Sequence, residues 1–382
     1  MNVLAPFGFY GAGNIGDEAT LQGFARLVAR CPRPLRVWVG SRNPEHTARV
    51  EPSFRYFHSE SDDWRRRWAN YRTSAVVMPG GTPIMDCLGA WPFSELVPLI
   101  EDAGERGRPV VFVGAGTERL ARDDSRRMFA DRLAPHVRYW TVRCRRDEVR
   151  LLEYGVPPER VRVTADMAWL LEPVGPEWGR EQLRSWGVST GGRLLGVNLM
   201  NEKPVRERHG TLFETVARFL DRMIETEGFS VLFLANDVHE NLGFDRSATL
   251  RTLAAMKHRD RTFIAPNEYW PPQRMMSLIA CCDATISMRL HFCLFSAVEG
   301  VPFVALQRSD KVADLCWDLG WTFGVNLDGL GPERLVDLFD GLEKRQAEAL
   351  RDLGARVPAL RERAGTNMAA LEALADGCTG SG

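Results

Sequence analysis

Short apolar runs alternate along the chain with stretches whose apolar residues recur at helical spacing, the pattern of strand–helix units that build a parallel sheet. In the first half, Val3 to Phe9, Leu35 to Val39, Ala75 to Met78, Val110 to Val113, Tyr139 to Val142 and Val161 to Thr164 predict strands. Helices fit between them, for example Ala19 to Ala29 and Asp147 to Tyr154. The rhythm pauses between Glu172 and Arg193, where Pro173, Gly175, Pro176 and Gly179 cluster with Trp178 and Trp186. A second series then starts, with Leu194 to Leu199, Ser230 to Leu234, Thr262 to Ala265, Ala284 to Ser287 and Phe303 to Leu306. From Pro332 onward the chain is charged, and Leu335, Leu338 and Leu342 keep helical spacing.

The pattern predicts an α/β chain of two domains, each on an open parallel sheet, over residues 1–175 and 190–330, followed by a helical segment and tail over 331–382. Two such sheets in tandem would turn their strand ends toward a central cleft, and loops after strands are where doubly wound folds bind ligands.

Length changes this picture little, since 382 residues suffice for two substantial cores. The formal net charge of −1 supplies no global field toward nucleic acid or an acidic membrane, so any anion site must be local. Arg65-Arg66-Arg67, between Trp64 and Trp68, reads as a solvated helix face. The eight cysteines lack the paired spacing of a metal site, and reduced thiols in a cytoplasmic protein fit them. No run of about 18 apolar residues predicts a membrane span. The expected partners are small molecules, with a homo-oligomer left open.

The first predicted strand runs into Gly11-Ala12-Gly13-Asn14-Ile15-Gly16-Asp17-Glu18, after which helical periodicity starts. Glycine loop and helix start could cradle phosphate, but Asp17 and Glu18 would repel an anion there, so a hydroxyl-bearing ligand suits the loop better. The equal alternative is that the two carboxylates only complement the helix dipole while the glycines permit the turn.

In the second half, the strand Ala284 to Ser287 ends at Arg289-Leu290-His291, and Phe292 to Val298 reads as a helix. Arg289 and His291 thus fall near a helix start, where unbonded backbone N–H groups favour an anion. After the next strand come Arg308-Ser309-Asp310-Lys311. A planar Arg fork, a His and a Lys suit a small polyanion. The plain reading is that His291 is a satisfied helix-start residue while Arg289 and Lys311 pair with nearby acids. Arg143 ends the strand Tyr139 to Val142 in a similar setting, and from its surroundings alone reads as an ordinary helix-start arginine.

The Gly-Asn-Ile-Gly-Asp-Glu run at 13–18 and the Arg-Leu-His run at 289–291 resemble the hallmark motifs of polysaccharide pyruvyl transferases. Pro79-Gly80-Gly81, Val142-Arg143, Ala165-Asp166, Gly300-Val301-Pro302 and Asp310-Lys311-Val312 follow in the family's order, so the resemblance covers roughly residues 5 to 320 in blocks. It implies two Rossmann-like domains similar to GT-B glycosyltransferases. It also implies transfer of the enolpyruvyl group of phosphoenolpyruvate onto two hydroxyls of a sugar, glycan precursor or polyhydroxylated metabolite, giving a ketal and phosphate. Phosphoenolpyruvate is then a co-substrate, and neither metal nor cofactor is implied.

Carried over residue by residue, Arg143, Arg289, Leu290 and Lys311 hold the donor, with His291 as general acid. Asp17 orients or deprotonates the incoming hydroxyl, while Gly13, Asn14, Gly16, Glu18, Gly80 and Gly81 form the acceptor side. The chain departs from the family pattern at Cys144 and Asp147, at Thr82 and at Gly114-Ala115-Gly116-Thr117, which leaves the acceptor open. Two other functions stay open: a nucleotide-sugar glycosyltransferase, because Glu299 with Gly300 and Pro302 suits ribose and diphosphate, and a non-catalytic ligand-binding protein of the same fold.

Overall fold

A computed structural model describes residues 1–6, 8–60, 72–87, 89, 91–188, 191–238 and 243–375. The Trp64 to Trp68 segment, with its three arginines, and Cys378 lie outside the described residues. Among the described residues the strands form two sheets, both parallel throughout.

The first sheet holds β1 (Asn2–Ala5), β2 (Arg36–Ser41), β3 (Arg55–His58), β4 (Ala75–Pro79), β5 (Val110–Ala115), β6 (Val137–Val142) and β7 (Val161–Val163), in the order β3-β2-β1-β4-β5-β6-β7. β4 and β5 are apolar and buried along their whole length, as strands covered on both faces must be. Around them Phe112 stacks on Trp140 at 4.0 Å between centroids, and Phe129 packs against the same indole.

The second sheet holds β8 (Leu194–Asn198), β9 (Ser230–Phe233), β10 (Thr262–Ile264), β11 (Ala284–Ser287), β12 (Phe303–Gln307) and β13 (Gly324–Asn326), in the order β10-β9-β8-β11-β12-β13. Its amphipathic helix Leu212–Glu227 buries Phe219 against Phe339, and ends at Gly228, whose φ of 69° is left-handed.

Each order reverses once, between β1 and β4 in the first sheet and between β8 and β11 in the second. Strands on either side of a reversal send their following loops in opposite directions, opening a crevice at their carboxyl ends. Buried polar groups gather at both places.

The chain divides into two compact units: Met1–Ala12, Asp17–Leu171 and the described residues from Leu360 onward form the first, Gly13–Gly16 and Glu172–Ala359 the second. The Pro/Gly/Trp segment thus opens the second unit, where Glu177–Ser185 folds as a helix. Pro332–Lys344 belongs to the second unit, whereas Asn367 is fully buried in the first, accepting from the Thr164 hydroxyl at 2.7 Å and donating to the Ala165 carbonyl at 2.9 Å. Arg363 Nε adds a bond to the Thr164 carbonyl at 2.9 Å. A buried amide with such partners anchors that stretch of chain. No helix among the described residues is long and apolar enough to cross a membrane.

Candidate functional site

At the reversal of the second sheet, Asn198 ends β8, and Ser287 ends β11 two residues before Arg289. Arg289 precedes the helix Leu290–Val298 in extended conformation, and its side chain turns inward, 8% exposed. Its Nε donates to both carboxylate oxygens of Asp245 at 3.1 and 3.2 Å, and its Nη2 reaches Asp245 Oδ1 at 2.5 Å and Asp237 Oδ2 at 3.0 Å. Burial works against the charge, but Asp245 and Asp237 outweigh it and hold the guanidinium protonated well above its ordinary range.

Asp245 lies in the first turn of the helix Phe244–Ala255 and is 1% exposed. Its Oδ2 also accepts from Asn198 Nδ2 at 2.9 Å, from the Asn236 amide at 2.9 Å and from the Asp237 amide at 3.2 Å. Burial pushes its carboxyl pKa up, with Arg289 pulling the other way.

The glycine motif contributes here through Gly13–Gly16. Val238 N donates to the Gly13 carbonyl at 2.8 Å, Ile15 N to the Asn236 carbonyl at 3.0 Å, and Asn14 Oδ1 accepts from the Gly16 amide at 3.0 Å and from Asn236 Nδ2 at 3.4 Å. Asn14 therefore builds the loop. Gly16 lies against the His291 ring so closely that a Cβ there would fall 2.1 Å from His291 Nδ1. Leu290, His291 and Lys311 are half-buried. Arg289, Leu290 and His291 are gathered at one helix start, and Lys311 stands in the first turn of the helix Asp310–Leu319, after β12, the strand paired with β11.

Glu299 is at the opposite end of the helix from Arg289, ten residues and about 15 Å along the axis. Its two oxygens accept from the Val174 and Gly175 amides at 2.9 and 3.1 Å. That carboxylate pins the chain entering the second unit.

At the reversal of the first sheet, the loop after β1 meets the end of β4. Tyr10 is buried and its hydroxyl donates to the Pro79 carbonyl; burial, then Asp17 and Glu18, push the phenol well above its ordinary value. Glu18 is fully buried and accepts from the Gly11 amide at 2.7 Å, closing the glycine loop over the helix Ile15–Arg30. Asp17 is half-buried in the same turn. Gly80, at a φ of 67°, leaves room for Thr20, whose Cγ2 a Cβ would approach to 2.1 Å, and Gly81 follows at 68°.

Arg143 leaves β6 with 10% of its side chain exposed. Its Nη2 donates to Thr82 Oγ1 at 3.1 Å, its Nη1 lies 3.4 Å from Asp166 Oδ2, and Nε is 4.0 Å from Asp147 Oδ2. Against the cost of burial, Asp147 and Asp166 keep it protonated. Asp147 in turn accepts from the Thr117 amide at 2.6 Å and from Cys144 Sγ at 3.0 Å, and a Cβ on Gly116 would strike Arg143 Nη2 at 2.4 Å. The positions at which the chain departs from the family pattern thus touch one another around a single guanidinium.

The residues that sequence reasoning passed over are carboxylates and amides: Asn198, Asn236, Asp237 and Asp245. Among the described residues no group of three or more His, Cys, Asp or Glu side chains could hold a metal ion.

Two parallel doubly wound units, each with charged groups at its own strand-order reversal, define a GT-B-like protein. A family model for polysaccharide pyruvyl transferase matches residues 14–310, and the chain belongs to that family, whose general role is pyruvyl transfer. No curated protein matches the sequence. Among solved structures, UDP-GlcNAc 2-epimerase from Neisseria meningitidis bound to UDP-GlcNAc aligns with a TM-score of 0.64 at 12% identity, covering 98% of this chain and 100% of that one. HepE of Anabaena in complex with UDP-glucose gives 0.62 at 10% identity, with both chains covered in full at 100%. A glycosyltransferase from Rickettsia africae gives 0.58 at 10%, covering 100% and 99%. At such identities the likeness is one of fold.

Proposed function

We propose that the protein transfers the enolpyruvyl group of phosphoenolpyruvate to two hydroxyls of a sugar, glycan precursor or related polyhydroxylated acceptor, forming a ketal and releasing phosphate. Protonation of the methylene makes it a methyl group and leaves C2 electron-poor. One hydroxyl oxygen bonds to C2 and gives up its proton, the C2–O bond breaks with its electron pair leaving on phosphate, and the second hydroxyl oxygen bonds to C2 with loss of its own proton. The observation that carries this reading is the arginine fork of Arg289, fixed by Asp245 at a helix start beside His291, in a chain of the pyruvyl transferase family.

In this reading Arg289 receives the donor's carboxylate or phosphate, aided by Lys311 and the backbone at Leu290. His291 delivers the proton. Acceptor recognition is assigned to the first unit, through Asp17, Gly80 and Gly81. The nucleotide-sugar alternative draws on the sugar nucleotides bound by two of the structural neighbours. It is the weaker reading, because Glu299, the residue that suggested ribose binding, is bonded to Val174 and Gly175.

Thermal denaturation separates the two. Phosphoenolpyruvate at a hundredfold its dissociation constant is expected to stabilise the protein by about 2.7 kcal/mol, with uridine diphosphate inert. Stabilisation by the nucleotide alone would reverse the choice. A phosphate-release screen over candidate glycans then tests turnover, and His291→Ala is expected to lower turnover far more than donor affinity.

A further inference from the structure

The bonds around Arg289 close a ring. Its guanidinium donates to Asp245 through Nε and Nη2, Asp245 accepts from Asn198 Nδ2 at 2.9 Å, Asn198 Oδ1 accepts from the Ser287 hydroxyl at 3.0 Å, and Ser287 Oγ accepts from the Arg289 backbone amide at 3.0 Å. Both ends of one residue, main chain and side-chain tip, are thereby tied to the ends of β8 and β11, the strands that flank the reversal. Every member of the ring is buried, Asn198 and Ser287 completely.

The ring uses one edge of the guanidinium only. Nη1 makes no hydrogen bond among the described residues, while Nε and Nη2 are fully committed. An arginine side chain loses several rotatable bonds' worth of freedom when it binds a ligand. Here that freedom is removed before any ligand arrives, and one face of the fork is left for it.

We infer that Asp245, braced by Asn198 and Ser287, is a positioning residue that presents the Nη1 edge of Arg289 to the donor anion. The inference rests on the assignment of Arg289 to the donor site. A plain buried ion pair would need neither the link through Ser287 nor an uncommitted donor edge. Because Asp245 acts through Arg289, its removal should matter only while the guanidinium is there.

The test uses the full chain, titrated with phosphoenolpyruvate by calorimetry, with Arg Nε–H exchange followed in arginine-labelled protein. Asp245→Asn is expected to weaken donor binding at least tenfold, which is about 1.4 kcal/mol. It should also speed exchange of the Arg289 Nε proton, identified by its loss in Arg289→Gln. In the Arg289→Gln background the same substitution should change affinity less than twofold. Ser287→Ala, which leaves the ion pair intact, is expected to weaken binding about threefold, and decides the matter should Asp245→Asn not fold. Wild-type affinity in Asp245→Asn or, failing that variant, in Ser287→Ala overturns the inference, as does an equal loss with and without the guanidinium. If wild-type protein ignores phosphoenolpyruvate while Nε exchange still depends on Asp245, the donor assignment fails and the positioning of Arg289 stands.

Discussion

Replacing Gly16 by alanine probes how His291 is seated. The added Cβ would lie 2.1 Å from Nδ1, 2.5 Å from Cγ and 2.8 Å from Cβ of His291. Carbon contacts settle at about 3.5 Å or more, so the ring must move by over an ångström. The atoms struck are near the root of the side chain, and rotation about its outer bonds relieves little. Overpacking of this kind costs about 1–3 kcal/mol, against which alanine in a helix returns about 0.5–1 kcal/mol over glycine. A net loss of about 1–2 kcal/mol is expected in urea denaturation. Gly354, in the helix Gln346–Gly365 with nothing within 4 Å of its Cβ position, is the control: Gly354→Ala should gain about 0.5–1 kcal/mol.

The decisive measurement is a double-mutant cycle. His291→Ala removes Nδ1 and Cγ and keeps the Cβ contact, so Gly16→Ala should cost about 1 kcal/mol less in that background. A cost below about 0.5 kcal/mol, or one that does not change when the imidazole is gone, would refute the close approach of Gly16 to His291. If the ring is the proton donor, its displacement should also cut turnover about a hundredfold.

Three further outcomes follow from the packing. Arg289→Ala strands a buried Asp245 and should destabilise by about 3–5 kcal/mol, much of it recovered in Arg289→Ala with Asp245→Asn; chemical denaturation measures both. Glu299→Gln should lose about 1–3 kcal/mol as one of its two bonds to the linker amides goes. Burial raises the Glu299 carboxyl even against those amides, so the folded chain binds that proton more tightly than the unfolded one. Its contribution is present below the ordinary glutamate range and lost as pH rises through the raised value, and the Gln variant should flatten that part of the stability curve. Asn367→Ala should cost about 1–3 kcal/mol and speed amide exchange near Ala165 and Asp166.

The fold was largely legible because its strands announce themselves. Ala284 to Ser287 follows Asp283 and ends two residues before Arg289, and the strand occupies the residues expected. β3 escaped because Arg55-Tyr56-Phe57-His58 fully buries only Phe57 at a sheet edge, and β13 because three residues carry no period. The candidate site was legible only in its cations. Asp245 sits in the first turn of a helix, where an acid ordinarily means no more than dipole compensation, and its partner is 44 residues away. Nor does the sequence tell that Arg289 is a structural element as well as a candidate ligand group. An arginine facing a cleft could be removed without harm to the fold; one bonded to a carboxylate that is 1% exposed cannot.

That distinction alters what the charges are for. Arg143 lies between Asp147 and Asp166, and Arg289 between Asp237 and Asp245. In each cluster two carboxylates face one guanidinium, so neither presents the net positive charge that a loose attraction of polyanions requires. At Arg289 the carboxylates supply direction, since a planar fork held on one edge offers its remaining N–H groups along fixed lines. Oriented donors in a buried setting stabilise charge that develops at one place, without reorganising as it forms. For the proposed transfer, in which charge shifts from a phosphate ester to a departing phosphate, fixed donors are worth more than a diffuse positive surface. A chain with a formal charge of −1 that turns Arg143 and Arg289 inward is arranged accordingly.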